Sequence, residues 1–234
     1  MIPWCVIDTG VIPGEGSELR LKRRGTEFSI MLGTTELMNS RLSGSEKALA
    51  KLSCQRIRSR QRPQVLIGGL GMGFTLRAAL AELGSDAQVT VAELVPAVVA
   101  WARGPMAEVF GGSLADPRVI VREVDVGHVI RSSRSTFDAI LLDVDNGPEG
   151  LTRRSNDRLY DLAGLGAARA ALTPGGVVGV WSSAPDKNFT HRLHRAGFTV
   201  DEVKVRANGT SGGARHVIWI VTKRDRSHPA PPRG

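Results

Sequence analysis

The chain has 234 residues, enough for one α/β domain with a small appendage but too few for two full-sized domains. Its 41% apolar and 23% charged residues are typical of a folded protein, and its two cysteines, Cys5 and Cys54, exclude a disulfide scaffold and a structural zinc site. No stretch approaches the roughly 20 apolar residues of a membrane span, and no secretory signal begins the chain, so we expect a cytoplasmic protein without a membrane partner.

A net charge of +8 raises the question of a polyanionic partner. The excess is concentrated in residues 22–24, 56–62 and 223–233. Aromatic residues, on which nucleic-acid bases would stack, make up only 5% of the chain. The distribution therefore favours a solvated basic surface over a nucleic-acid groove, and a small molecule as the partner.

Residues 1–62 are predicted to form a small N-terminal β domain with a linking helix. Short strands are expected over residues 18–22 and 27–32, joined by a turn at Arg24-Gly25. A helix follows from about residue 43 to 58, with an acid in its first turn and basic residues in its last.

From residue 63 to 226 strands and helices alternate, which predicts a parallel sheet covered by helices on both faces. The last two strands have no helix between them, so the final strand should run antiparallel at or near the sheet edge. Residues 227–234 contain three prolines and should be a disordered tail. The expected strands cover residues 65–68, 88–93, 119–121, 137–143, 177–181, 200–205 and 216–222, and the expected helices residues 74–83, 96–110, 127–132, 157–172 and 187–196.

A glycine-rich turn, with Gly69, Gly71 and Gly73, follows the first of these strands. Glycine lets the backbone turn tightly and lets a ligand approach the amides of the next helix. Glu93 ends the second strand 20 residues later, the spacing at which an acid can accept both hydroxyls of a ribose. Together they predict a nucleoside ligand; the alternatives are a packing turn and a solvated strand-end acid.

Further acids follow the third and fourth strands. Asp125 is placed either to accept the amino hydrogens of adenine or to cap the helix that follows it. The fourth strand delivers Asp143, Asp145 and Asn146 to the same edge of the sheet as the glycine turn. Two acids one residue apart can hold and deprotonate a cationic amine, whereas the alternative is that Asp145 and Asn146 only shape the turn into Gly147-Pro148.

Two further groups of residues are candidates for a site. Trp181, at the carboxyl end of the fifth strand, is the tryptophan that we expect to line a pocket. His191 and His194 lie one helical turn apart, but without a third ligand nearby they indicate surface residues, and we predict no metal site.

In order and spacing these motifs resemble the spermidine synthase (polyamine aminopropyltransferase) group of the class I S-adenosylmethionine-dependent transferases. The resemblance implies a Rossmann-like class I methyltransferase fold: a seven-stranded, mostly parallel sheet with an antiparallel last strand, preceded by a small N-terminal β-hairpin and helix region. It also implies a homodimer. The matching features are the glycine turn, Glu93, Asp116-Pro117-Arg118, Asp125, the Phe-Asp-x-Ile-x-x-Asp run ending at Asp143, Gly147-Pro148, Leu159-Tyr160 and Pro174-Gly175-Gly176.

The resemblance also implies S-adenosylmethionine, or its decarboxylated form, as the cofactor. Glu93 would bind its ribose and Asp125 its adenine, while Asp143, with Asp145 beside it, would position and deprotonate the attacking amine. The implied cofactor-binding residues are Gly69, Gly71, Gly73, Glu93, Leu94, Asp125, Val126 and Asp143, and the implied substrate-pocket residues are Asn146, Tyr160 and Trp181.

The chain departs from that family in its acceptor region. Met72 stands where the family has an aspartate for the aminopropyl amine, which favours ordinary S-adenosylmethionine as the donor. Ser45-Glu46-Lys47-Ala48-Leu49-Ala50 lacks the tyrosine and histidine of the family's Asp-Glu-x-x-Tyr-His run, and Trp181 replaces a polyamine-binding glutamine. A polyamine needs several polar partners to replace its water. The polyamine site is therefore expected to be partly lost.

We thus predict a spermidine synthase-like transferase that aminopropylates or methylates an amine-type small molecule. One alternative is a non-catalytic partner subunit that binds a nucleoside. The other is a nucleic-acid methyltransferase, which is disfavoured because Asp-Asn-Gly-Pro follows the fourth strand in place of the Asn-Pro-Pro-aromatic run of many amino-methylating enzymes.

Overall fold

The structure, a computed structural model, describes residues 2–144, 147–148, 158–208 and 213–223. These residues form a four-stranded and a seven-stranded β-sheet, with helices packed on the larger one. In the part of the chain so described, no helix has the length and apolar character needed to cross a membrane.

The small N-terminal sheet is antiparallel throughout, in the order β1-β2-β3-β4. Its two middle strands are those expected from the sequence, whereas the two outer strands were not predicted. Asp8 and Gly10 give the first strand the composition of a turn, but both have packing roles: Trp101 Nε1 donates to Asp8 Oδ2 at 2.7 Å, and a Cβ on Gly10 would strike Ala97. The strands are β1 (Cys5–Val11), β2 (Glu18–Arg24), β3 (Glu27–Leu32) and β4 (Thr35–Asn39).

Helix α1 (Gly44–Ile57) follows the small sheet but packs on the large one. Its buried face includes Leu49 and Ser53, which lie against Gly179 of the large sheet. A Cβ on Gly179 would meet the Ser53 hydroxyl and come within 2.9 Å of Leu49 Cδ1. The helix therefore approaches the sheet closely because that position has no side chain.

The large sheet confirms the predicted architecture. Its order is β10-β11-β9-β8-β5-β6-β7, with β5 to β9 parallel and β11 antiparallel to both its neighbours. The antiparallel last strand lies one position in from the edge. The strands are β5 (Gln64–Gly68), β6 (Gln88–Glu93), β7 (Val119–Glu123), β8 (Phe137–Leu142), β9 (Leu172–Ser182), β10 (Phe198–Arg206) and β11 (Arg215–Lys223).

Helices cover both faces of this sheet, which produces two hydrophobic cores. Successive residues of one strand belong to different cores: Leu66 and Ile140 lie in one, Ile67 and Leu141 in the other, and all four are fully buried. Continuous apolar strands are what such a doubly covered sheet requires. The remaining helices are α2 (Phe74–Glu82), α3 (Pro96–Arg103), α4 (Ala107–Phe110), α5 (Val126–Ser132), α6 (Leu162–Ala171) and α7 (Lys187–Arg195).

Two local expectations differ from the structure. The single helix expected over residues 96–110 is two helices, because Gly104 and Pro105 interrupt the hydrogen-bond ladder. The strand expected over residues 177–181 begins earlier, because β9 also includes Thr173-Pro174-Gly175-Gly176, where the pairing with β8 is irregular and Gly175 has φ 67°. Residues 224–234, which include the predicted tail, lie outside the described part of the chain.

Candidate functional site

The glycine turn after β5 has three positive φ angles, 88° at Gly69, 50° at Gly71 and 74° at Gly73. Close packing explains why residues 69 and 73 are glycines: a Cβ would strike the Asp143 carbonyl oxygen at Gly69 and the Phe110 ring at Gly73. At Gly71 a Cβ would come within 3.1 Å of Met38 Sδ, the end of a flexible side chain. Gly71 borders two cavities, whereas Gly69 borders one of them.

Glu93 ends β6 and is buried, with 8% of its surface exposed. Its Oε2 accepts a hydrogen bond from Leu70 N at 2.8 Å and its Oε1 from Val95 N at 2.9 Å. Burial raises the pKa of this carboxyl, and the surrounding backbone N–H groups act in the opposite direction. These two hydrogen bonds occupy two of the roughly four acceptor positions of a carboxylate and hold the acid in place.

Asp125 caps helix α5, since its Oδ1 accepts a hydrogen bond from His128 N at 2.9 Å. The same residue borders a cleft beside Glu93. The capping alternative is therefore observed, and the cap engages one oxygen only. The role toward adenine stays a prediction.

The main cleft, of about 730 Å³, lies between the carboxyl edge of the large sheet and the apolar face of the small one. The small sheet and the loops beside it contribute Ile12, Leu19, Ile30, Leu37 and Met38. Gly73, which faces Phe110, is the predicted cofactor-binding residue absent from its lining. The other seven line it together: Gly69, Gly71, Glu93, Leu94, Asp125, Val126 and Asp143.

A second cavity, the side pocket of about 620 Å³, adjoins the main cleft. The two share Leu37, Met38, Gly71 and Asp143, so Asp143 lies where they meet. The remaining residues of the side pocket are Asn39, Glu46, Leu70, Met72, Phe74 and Trp181.

Asp143 follows β8 and accepts a hydrogen bond from Thr75 Oγ1 at 2.6 Å. Burial and, secondly, the negative charge of Glu46 raise its pKa to about 7, and the Thr75 hydrogen bond acts against them. A carboxyl group that titrates near neutral pH can exchange a proton with a ligand under physiological conditions. Perturbed acids in a cleft are typical of functional sites.

Glu46 is a site residue that the sequence analysis missed. It lies in the first turn of α1, lines the side pocket, and its Oε2 accepts a hydrogen bond from Ser45 Oγ at 2.8 Å. Burial raises the pKa of this carboxyl, and the backbone N–H, the Ser45 hydroxyl and the charge of Lys47 act in the opposite direction. The available signal was the Asp-Glu-x-x-Tyr-His run, of which the chain retains the glutamate. The favourable helix dipole already explained an acid at that position, so no further role was assigned.

The remaining candidates have different surroundings. Trp181 and Met72 both line the side pocket, Met72 as an apolar wall that is 4% exposed. Tyr160 is 2% exposed and packs edge-on against Phe189 at 5.6 Å, and it lines neither cavity. Asp145 and Asn146 lie outside the described residues. Their roles stay predictions.

Sequence comparison relates half of the chain to polyamine aminopropyltransferases. The chain is 36% identical over 124 residues to "Polyamine aminopropyltransferase 1" of Streptomyces coelicolor, and 33% identical over 124 residues to "Polyamine aminopropyltransferase" of Mycobacterium tuberculosis. Each match covers 52% of this chain but only 22% and 23% of those proteins, respectively. No protein-family model matches the chain.

Structural comparison extends over nearly the whole chain. Spermidine synthase from Thermotoga maritima matches with a TM-score of 0.72 and 18% identity, covering 93% of this chain and 72% of that one. A spermidine synthase in complex with the transition-state analogue AdoDATO gives a TM-score of 0.71 and 18% identity over the same shares. TrmN from Thermus thermophilus matches at 0.53 with 24% identity, covering 76% of this chain and 48% of that one. The chain therefore has the fold of the spermidine synthase structures, and half of its sequence is similar to polyamine aminopropyltransferases, as its motifs indicated.

Proposed function

We propose that the chain is a transferase that binds S-adenosylmethionine, or its decarboxylated form, in the main cleft and alkylates an amine-type small molecule in the side pocket. The observation that carries this proposal is the position of Asp143 at the junction of the two cavities. A donor and an acceptor bound in adjoining cavities would meet at that carboxylate.

The residues of the main cleft fit the proposed cofactor. Glu93 is rigidly held at one end with acceptor capacity for two ribose hydroxyls, and Asp125 has a second oxygen beyond its cap for an adenine amino group. Gly71 lines the cleft together with Glu93 and Asp143, and apolar side chains of the small sheet form the opposite wall. When bound, the cofactor would supply a carbon already activated by its sulfonium sulfur.

The protein's own part is to place the acceptor and to take its proton. At neutral pH a primary amine is present mainly as an ammonium ion, which cannot attack the sulfonium-bound carbon until it has lost a proton. Asp143, whose pKa is about 7, can first pair with that ion and then accept one proton from it. Holding the nitrogen next to the reacting carbon would supply the remaining rate acceleration, since good alignment alone contributes several powers of ten in rate.

Met72 supports the ordinary cofactor over the decarboxylated one. Both forms carry an ammonium group on this arm, but decarboxylation removes the carboxylate beside it and leaves an uncompensated cation. Such a cation needs a polar or acidic partner when buried, and the chain offers an apolar, 4% exposed side chain at that position. Isothermal titration with each donor tests this preference. Tighter binding of decarboxylated S-adenosylmethionine would contradict it.

Replacing Asp143 with Asn tests the proposed reaction. The variant should bind S-adenosylhomocysteine like wild type but lose transfer, because an amide cannot accept the acceptor's proton. Transfer would be followed by mass spectrometry with labelled S-adenosylmethionine and a panel of primary amines. Asp201→Asn, an exposed acid on β10, is the matched control. Equal transfer by the Asp143 variant would contradict the proposal, and nucleoside binding without transfer by wild type would favour the partner-subunit alternative.

The proposal includes a homodimer formed through the small sheet. β1 is an edge strand of that sheet, and Val6, Ile7 and Val11 are 48%, 41% and 59% exposed. An open strand edge with apolar side chains favours pairing with another chain, here a second copy. Light scattering should give twice the mass of one chain, and Ile7→Lys should lower it. A monomeric wild type would contradict this part of the proposal.

A further inference from the structure

Three residues from two distant parts of the chain form a hydrogen-bonded row beside the side pocket. The Ser45 hydroxyl, in a residue only 1% exposed, donates to Glu46 Oε2 at 2.8 Å. On its other side Ser45 Oγ lies 2.9 Å from Nδ1 of His216, a residue of β11. The row therefore links the pocket acid to a histidine 170 positions further along the chain.

The donors and acceptors of this row can be assigned from its chemistry. With Glu46 ionised, the one hydroxyl proton of Ser45 is used on Glu46, so the Nδ1–H tautomer of His216 donates the hydrogen bond to Ser45 Oγ. The imidazole is half-buried, and this burial lowers its pKa, which favours the neutral ring. The His216 ring also packs against Trp181, at 4.9 Å and 77° between ring planes. The row is thus anchored on a wall of the pocket.

Glu46 and Asp143 belong to different elements, helix α1 and the end of β8, and line the same pocket. The charge of Glu46 is the second cause that raises the pKa of Asp143, so the two carboxyl groups lie within electrostatic reach of each other. Among the described residues, the other titratable or charged groups beside Glu46 are Lys47, whose ammonium lies 6.0 Å from the centre of the Phe74 ring, and His216. Two carboxylates in an apolar pocket repel each other unless they share a proton or bind a cation.

We propose that Glu46 is the second carboxylate of the acceptor site, paired with Asp143 across the bound ammonium, and that Ser45 and His216 are the positioning residues that keep it there. The inference rests on the proposed function for the identity of the ligand. The ammonium ion contacts both carboxylates and transfers one proton from its nitrogen to an oxygen of the pair. His216 and Ser45 act through Glu46, because their hydrogen bonds fix the orientation of its carboxylate.

Binding of a simple amine tests the role of Glu46. n-Butylamine is titrated calorimetrically into the protein saturated with 5′-methylthioadenosine, near pH 7. We expect Glu46→Gln to weaken butylamine binding by about tenfold or more, the loss of one charge-assisted contact, and to leave nucleoside affinity unchanged. Glu108→Gln, on the exposed surface of α4, is the matched control and should bind like wild type. Equal butylamine affinity in Glu46→Gln would overturn the proposal.

Titration of the carboxyl groups in the free protein tests the row itself. Carbon-13 NMR follows Glu46 and Asp143, each assigned by the loss of its signal in the Gln or Asn variant. We expect a coupled titration of the two acids, and an upward shift of about one pKa unit for Glu46 in Ser45→Ala, because a donor to the charged form is lost. Ser45→Thr, which keeps the hydroxyl, should restore the wild-type midpoint.

His216 is tested by two replacements of different chemistry. Asn can present an amide N–H near the position of Nδ1, so His216→Asn should leave the Glu46 midpoint close to wild type. His216→Phe keeps the ring but has no donor, and should shift the midpoint in the direction of Ser45→Ala. Independent titrations of the two acids, or no shift in either donor-lacking variant, would overturn the inference. If 5′-methylthioadenosine fails to bind wild type, the proposed function fails, while the free-protein titrations still judge the acid pair.

Discussion

The hydrogen bond from Thr75 to Asp143 offers a direct way to move the pKa of the proposed base. Thr75 is 3% exposed and its hydroxyl lies 2.6 Å from Asp143 Oδ2. Thr75→Val removes the donor with little change in shape. Because the bond stabilises only the ionised carboxylate, its loss should raise the pKa of Asp143 above its value of about 7.

The size of the shift follows from the strength of such a bond. Hydrogen bonds to charged groups contribute about 1.5–3 kcal/mol, and one pKa unit corresponds to about 1.4 kcal/mol. The midpoint should therefore rise by about one to two units. At pH 7 the ionised fraction of Asp143 would fall from about one half to about one tenth or less, and transfer at that pH should fall in proportion.

Carbon-13 NMR of the Asp143 carboxyl, assigned by its absence in Asp143→Asn, measures the midpoint without any substrate. Thr75→Ser keeps the hydroxyl and should titrate like wild type. An unchanged or lower midpoint in Thr75→Val would refute the reasoning, since it would mean that the hydroxyl does not stabilise the carboxylate.

The same carboxyl group makes stability depend on pH. Its pKa is 3.8 in an unfolded chain and about 7 in the folded one, so between these values the unfolded state binds fewer protons. The contribution of Asp143 to the free energy of unfolding should therefore fall as the pH rises from about 4 to about 7. In Thr75→Val the fall should continue to higher pH, which urea denaturation across this range would detect.

Three other expected outcomes concern binding, stability and reactivity. Glu93→Gln places amide hydrogens against backbone donors and should weaken 5′-methylthioadenosine binding by about 10- to 100-fold in calorimetry. Glu123→Gln, which changes the exposed register partner of Glu93 on β7, should bind like wild type. Equal losses of affinity in the two variants would contradict the ribose role. Asp138 is 8% exposed and accepts hydrogen bonds from a guanidinium, a hydroxyl and a backbone amide, so Asp138→Ala should lower the free energy of unfolding in urea by about 2–4 kcal/mol; a change below about 1 kcal/mol would contradict this. Iodoacetamide should modify exposed Cys5 but not Cys54 in the native protein, because burial raises the pKa of Cys54 to about 12; mass spectrometry showing two native adducts would disprove it.

The large sheet could be predicted from the sequence because its signal is local. Strands such as Phe137–Leu142 are continuous apolar runs, and the glycine turn and strand-end acids punctuate them at fixed positions. The parallel topology then places Glu93 and Asp143 at the same edge without further information.

The small sheet and the side pocket could be predicted only in part, since their determinants are not local. Strand β1 (Cys5–Val11) has mostly exposed side chains and a turn-like composition at its centre. It is anchored by a hydrogen bond from Trp101, which belongs to the distant helix α3. Glu46 becomes a site residue only because α1 packs over the end of β8. Its hydrogen-bonded row also depends on His216, which no sequence spacing connects to it.

Gly179 determines how closely α1 packs on the large sheet, and this spacing bears on the proposed acceptor site. That missing side chain lets Leu49 and Ser53 settle against the strand, and the same helix carries Glu46 into the pocket. A methyl group at this position would collide with the Ser53 hydroxyl and crowd Leu49 Cδ1, so it would disturb the packing of the helix that carries Glu46. In the proposed function, Gly179 is therefore a position that touches neither ligand and still influences where the proposed acceptor acid lies.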